Sequence, residues 1–170
     1  PLEELKIVTC HLGNGSSITA IDQGKAVDTS MGFTPLDGII MGTRCGSIDP
    51  SIVTFLQEKE GYTAAEMNEI LNKESGYLGV SGVSNDDRDL NIEADNGNGR
   101  ARLALDIQHY GILKYVGSYA AVMGGLDHIV FTGGIGENSD GVRRVVCQAL
   151  EYLGMEFDEE VNKGLRGTEM

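Results

Sequence analysis

LKIVTCHLGNGSSITAID, residues 5–22, consists of two short β-branched runs around a glycine-rich centre. Apolar alternation over LKIVTC and SITAID predicts two strands, and the Asn14-Gly15 step between them is a strong signal for a tight hairpin turn. Asp22-Gln23-Gly24-Lys25 predicts a second turn, into a third strand around Ala26 to Asp28. The stretch therefore reads as an antiparallel three-stranded meander whose first tip is rich in backbone N–H groups.

Working outward, residues 29–46 carry Gly32, Gly38, Gly42, Gly46 and Pro35 and predict a long ordered loop, a kind that is usually functional. Asp49-Pro50 supplies an N-cap and a proline for a helix that uses Ile52, Val53 and Leu56 and stops near Gly61. Thr63-Ala64-Ala65-Glu66 has the form of a capping box, opening a second helix to about Gly76 that buries Met67, Ile70 and Leu71. Residues 81–96 are polar and acidic, and no element is assigned to them. A long helix follows Gly99, with Leu105, Ile112, Val116 and Tyr119 at helical spacing, and ends at Gly124-Gly125. Residues 126–132, LDHIVFT, predict a buried strand. It runs into GGIGEN and then into a helix with an apolar face of Val142, Val145, Val146, Ala149 and Leu153. Helices flanking a mixed sheet make the chain α/β.

Composition narrows the classes. The net charge of -13 opposes binding to nucleic acid or to an anionic membrane. Cys10, Cys45 and Cys147 form no CxxC pair and read as cytosolic thiols, giving a cytoplasmic expectation. No apolar run reaches the length of a membrane span. Opening at Pro1 and entering a strand within a few residues, the chain reads as a piece of a longer protein.

Three constellations carry chemistry. His11, Leu12, Gly13, Asn14 and Gly15, with Ser16 and Ser17, can bring backbone and side-chain donors to a phosphate, and His11 can donate to a transferring phosphoryl group. An ordinary Asn-Gly hairpin beside a satisfied histidine would read the same. Gly134, Ile135, Gly136, Glu137 and Asn138, after Gly133, follow a strand and open a helix, which suits a nucleotide. They match neither GxGxxG nor a P-loop, and a connection needed only for packing fits equally. Arg44, in MGTRCGSIDP, can reach a carboxylate or phosphoryl group with its planar fork, or can pair with Asp49 to stiffen its loop. His109 and His128 read as structural, and Asp86, Asp87 and Arg88 as a solvated turn.

HLGNGSS, then VDTSMGFTPLDGIIMGTRCGSIDP, then FTGGIGEN, in this order, resemble the acetate and propionate kinase family, over residues 6–162. The resemblance implies the actin-like ATPase superfamily, with domains of ribonuclease H-like topology. It implies ATP-dependent phosphorylation of a short-chain carboxylate, giving ADP and an acyl phosphate, with Mg2+ required. His11, Leu12, Gly13, Asn14 and Gly15 match the family's phosphate-binding hairpin, with His11 also stabilising the transferring group. Arg44 matches the arginine that holds the acyl or phosphoryl oxygens in the transition state. Gly134, Ile135, Gly136, Glu137 and Asn138 match the loop around ribose and adenine. Asp86, Asp87 and Arg88 match another nucleotide-contacting stretch, where the family often has an aromatic residue at the position of Asp87. Cys45 stands where serine is also common.

By this resemblance residues 1–170 form a single C-terminal nucleotide-binding domain of an acetate kinase-like enzyme, a homodimer in this family. The metal ligands and part of the carboxylate site are expected outside the chain. The isolated chain is expected to bind nucleotide with weak or no turnover. Preference for propionate or another short-chain acid is the enzymatic alternative. A non-catalytic actin-like nucleotide-binding or oligomerisation module is the alternative from another class.

Overall fold

The structure, a computed structural model, describes residues 1–165. In chain order its elements are β1 (Lys6–His11), β2 (Ser17–Asp22), β3 (Lys25–Thr29), α1 (Ser51–Glu60), α2 (Ala64–Glu69), α3 (Gly76–Ser81), α4 (Asp87–Asp95), α5 (Gly99–Met123), β4 (His128–Thr132), α6 (Gly133–Asn138), α7 (Asp140–Ala149) and α8 (Glu159–Gly164). They fall into two compact units: Pro1–Ser30 with the described residues from His109 onward, and Met31–Gln108.

The first unit holds a four-stranded sheet in the order β3-β2-β1-β4. β1 pairs antiparallel with β2, from Lys6↔Asp22 to His11↔Ser17, and parallel with β4, from Ile7↔His128 to His11↔Thr132. The expected meander is present, but its two turns differ from each other. Gln23 (φ 52°) and Gly24 (φ 79°) form a tight turn closed by the Asp22↔Lys25 pair. Neither Asn14 nor Gly15 has positive φ, so the two-residue hairpin turn expected there does not form, because that turn needs φ above zero at both central positions. The chain instead makes a wider loop over residues 12–16.

Val8, Cys10, Leu12, Ile18 and Ala20 point inward from the strands, joined in the core by Ile112, Val116 and Tyr119 of α5. α7 adds Val142, Val146 and Cys147, and Leu150 follows them; Val145 and Leu153 are 38% and 50% exposed. The buried face is thus rotated from the one expected, and Ala149 also lies outside it. Each fully buried Val or Leu there contributes about 1.5–3 kcal/mol. β4 is shorter than expected and is not buried: Val130 is 44% exposed. Among the described residues it is an edge of the sheet, and a strand is buried on both faces only where both are covered.

The second unit is helical. Asp49 accepts from the Ser51 N–H at 2.9 Å to start α1, which ends on left-handed Gly61. The Thr63–Glu66 capping box forms in full, and the turn after α2 widens over Ile70–Glu74. Met67 is buried as expected, whereas Ile70 and Leu71 are half-buried. The polar stretch to which no element was assigned contains α4, capped by Asp86. Ile39, Met41, Met67, Tyr77, Leu90, Ala101, Ala104 and Leu105 are the buried apolar residues of this unit.

Candidate functional site

β1 ends at His11, and the chain turns through residues 12–16 before β2. Leu12 is fully buried and fixed on both sides of its peptide. Its N–H donates to Thr132 O at 2.8 Å, and its carbonyl accepts from the N–H groups of Ile135 (2.9 Å) and Gly136 (3.3 Å). The buried Ser16 hydroxyl donates to Gly13 O at 3.0 Å and accepts from Gly13 N–H at 3.2 Å. That hydroxyl is therefore used to close the loop, not offered as an outward donor. The N–H groups of Asn14 and Gly15 meet no acceptor among the described residues. Asn14 and His11 are exposed.

The second glycine turn is docked against the first. Gly133 has φ +78°, and a Cβ there would stand 2.6 Å from Leu12 O and 3.2 Å from Cε1 of His11. Only glycine permits this approach and this backbone conformation. Leu12 O thus satisfies two of the first four N–H groups of α6, those of Ile135 and Gly136. Gly134 instead presents an open surface, with nothing within 4 Å of a Cβ placed on it. The Asn138 side chain donates back to Gly134 O at 2.9 Å, and Glu137 is half-exposed beside it.

Arg44 and residues 86–88 belong to the second unit. The Arg44 loop is stitched to the segment after α2: Cys45 N–H donates to Leu71 O (3.0 Å), Ser75 N–H to Thr43 O (3.0 Å) and Tyr77 N–H to Met41 O (2.8 Å). Gly76, at φ +61°, lies so close that a Cβ would meet the Met41 carbonyl oxygen and come within 2.7 Å of Arg44 O. One guanidinium nitrogen, Nη1, donates to Pro35 O at 3.2 Å and touches Met41 Sδ at 3.7 Å. Arg44 makes no ion pair among the described residues, so the Arg44–Asp49 pairing does not form.

Asp86 caps α4, accepting from Arg88 N–H (2.8 Å), Nε (3.1 Å) and Nη2 (2.8 Å). The Arg88 side chain, with its N–H, holds the Asp86 carboxyl down at about 2. Asp87 is turned inward and only 6% exposed. Burial, with the Asp87 carboxylate nearby, pushes the Tyr77 phenol well up; Tyr77 itself donates to Gln108 Oε1 at 2.5 Å. Asp87 thus adjoins the residue that anchors the Arg44 loop. The solvated turn expected over residues 86–88 is a capped helix start with one acid facing the interior.

A profile described as the Acetokinase family matches residues 1–170. The chain belongs to the acetokinase family. It is 63% identical over 164 residues to an acetate kinase of Heliobacterium modesticaldum, covering 96% of this chain and 41% of that protein. It also resembles the crystal structure of Porphyromonas gingivalis acetate kinase, with TM-score 0.94 and 54% identity over 99% of this chain and 42% of that one. A propionate kinase from Francisella tularensis follows, with TM-score 0.89 and 44% identity over 94% of this chain and 41% of that one. This acetokinase chain therefore spans about two fifths of the length of the curated relatives it matches.

Among its described residues, no group of three or more His, Cys, Asp and Glu side chains gathers in a way that could hold a metal, and no helix is long and apolar enough to cross a membrane. The Cys10 thiol, beneath the hairpin tip, is pushed up to about 12 by burial, with Cys147 adding to the effect. Burial also raises Cys45 and Cys147. None of the three is poised as a thiolate nucleophile. The sequence reading missed Arg143, which is 6% exposed and donates to the Gly136 and Glu137 carbonyls of α6. Its available signal was a charge placed between Val142 and Val146 at the core-facing start of α7.

Proposed function

We propose that this chain is the nucleotide- and phosphoryl-handling part of an ATP:acetate phosphotransferase, and that the full-length protein converts acetate and ATP reversibly into acetyl phosphate and ADP. The single observation that carries the reading is the seam between the two glycine turns. The N–H groups of Asn14 and Gly15, which meet no acceptor among the described residues, and the exposed His11 lie on one side, and the open Gly134 surface lies on the other. Backbone donors at an exposed loop tip suit phosphate oxygens. A surface without side chains suits the flat base and ribose of ATP or ADP.

Acetate is ionised at neutral pH, so its attack needs no general base. The demands are alignment and neutralisation of charge on the transferring group. His11 donates to that group, and Arg44 brings a fork matched to acyl or phosphoryl oxygens. Asp86 and Arg88 are assigned to nucleotide contact on the family likeness alone. The reading places the ligands of the Mg2+ that such a transfer requires in chain outside these residues. On this reading the chain is a ribonuclease H-like, actin-like domain, the C-terminal nucleotide-binding domain of each subunit of a cytoplasmic homodimer.

Preference for propionate is the second reading, favoured by the likeness to the Francisella tularensis propionate kinase. Trapping the acyl phosphate with hydroxylamine tests both. The full-length protein should yield the hydroxamate from acetate and ATP, with a higher kcat/KM for acetate than for propionate. No product from either acid overturns the kinase assignment, and a reversed ratio selects the second reading. Robust turnover by the 170-residue chain alone would show that no further part is required.

A further inference from the structure

All five N–H directions of Arg143 are used inside the first unit. Nη1 donates to Gly136 O (2.9 Å) and Glu137 O (2.8 Å), Nη2 to Asn162 O (3.1 Å) and Leu165 O (3.2 Å), and Nε to Asn162 Oδ1 (2.8 Å). Asn162, 4% exposed, donates in turn to Asp140 O at 3.0 Å. One guanidinium therefore ties the end of α6, the start of α7 and the end of α8 together.

The α6 segment needs this tie. With six residues it cannot satisfy its own last carbonyls, and a positive group beyond its C-terminal end is favourable. Its opposite end is held by Leu12 O. The segment is thus held at Ile135 and Gly136 by Leu12 O and at Gly136 and Glu137 by Arg143, and the open Gly134 surface lies one residue before these holds.

We infer that Arg143 is a positioning residue for the nucleotide: it sets the height and tilt of the Gly133–Asn138 surface, and through Asn162 it makes α8 part of the nucleotide site's support. This rests on the reading of that surface as the nucleoside site. A planar fork is required, because two of its N–H groups must reach α6 while the others hold α8. An ammonium group has three donors around one point and cannot span both.

The test is Arg143→Lys in the full-length enzyme, with KM for ATP, KM for acetate, kcat and thermal unfolding measured together. Lysine keeps the charge and should raise KM for ATP by roughly 10-fold to 100-fold, as expected when a binding surface is misplaced by about 1 Å. KM for acetate should move less than about twofold, and discrimination between ATP and GTP should narrow. A lower unfolding temperature with KM for ATP unchanged would reduce Arg143 to a structural role and overturn the inference. If Arg143→Lys does not fold, Asn162→Ala leaves the guanidinium in place and loosens its anchor. It should raise KM for ATP in the same sense, and an unchanged value overturns the inference. Gly134→Leu separates the two levels. If it leaves KM for ATP unchanged, the nucleoside reading itself fails; if it raises that KM and Arg143→Lys does not, only the role of Arg143 fails.

Discussion

The two units carry candidate site residues of opposite construction. In the first, the candidate contacts are mostly backbone: N–H groups at the hairpin tip that meet no acceptor among the described residues, a carbonyl that fixes the neighbouring turn, and a glycine surface left open. In the second they are side chains: an arginine with one anchored nitrogen, and an Asp86–Arg88 pair at a helix start. The first kind should fail when atoms are added, and the second when atoms are removed. A mutational survey restricted to alanine at polar positions would therefore register the second unit and overlook much of the first.

The largest expected effect lies on the side-chain side. Arg44→Ala in the full-length enzyme should lower kcat by about 10³ or more, as for other arginines that stabilise charge on a transferring phosphoryl group. Hydroxamate formation at saturating acetate and ATP measures it. A fall smaller than tenfold would remove Arg44 from the transition state and leave the second unit without its principal contribution.

Addition of one carbon tests the backbone side. Gly133→Ala places a methyl 2.6 Å from Leu12 O on a residue at φ +78°, so the two turns must separate. The expected loss is at least about 2 kcal/mol in urea unfolding, from the conformation alone. Gly134→Ala, one residue along and open, should stay within about 0.5 kcal/mol of the parent. Equal losses at the two glycines would show that the seam is not what constrains this turn.

This contrast also explains what could be read from the sequence. Asp49-Pro50, the Thr63–Glu66 box and the Gln23-Gly24 turn were legible because their chemistry is local. The positions of the glycine turns were legible as well, together with their resemblance to a family. Which donors go unmet among the described residues was not. The Asn14-Gly15 turn is widened by the hold on Leu12 from Thr132, Ile135 and Gly136, more than a hundred positions away. The α7 face turned toward Leu150, and Val130 stayed half open, because sheet neighbours and helix packing decide burial. Arg143 could not be assigned from its sequence neighbours, because its partners at Gly136, Glu137, Asn162 and Leu165 depend on how α6, α7 and α8 pack.

Within the second unit, Tyr77→Phe removes a single oxygen. It takes away the donor held by Gln108 Oε1, while Gln108 Nε2 still reaches Ile40 O at 3.4 Å beside the Arg44 loop. Leaving a buried acceptor unmet costs about 1–3 kcal/mol. Chemical denaturation of the variant should show a loss in that range, and no change would mean that water replaces the phenol.

The smallest effect is the most specific to side-chain construction. Asp86→Asn keeps a good helix N-cap and deletes only the charge that Arg88 faces. The Asp86 carboxyl is held at about 2, below its ordinary 3.8, so its stabilisation is fully present above about pH 4 and disappears as the pH falls through about 2. Arg88 and Asp86 are 86% and 37% exposed, so solvent screening limits the contribution to under about 1 kcal/mol at pH 7. Urea unfolding of the parent and Asp86→Asn should differ by that amount at pH 7 and converge toward pH 2. The atom that a Gly133→Ala methyl presses on most closely, Leu12 O, belongs to no titratable group, so the deficit should be the same at pH 4 and at pH 2. Convergence of the Gly133 deficit with falling pH, or persistence of the Asp86 gap, would mean that the two units are not built on different chemistry.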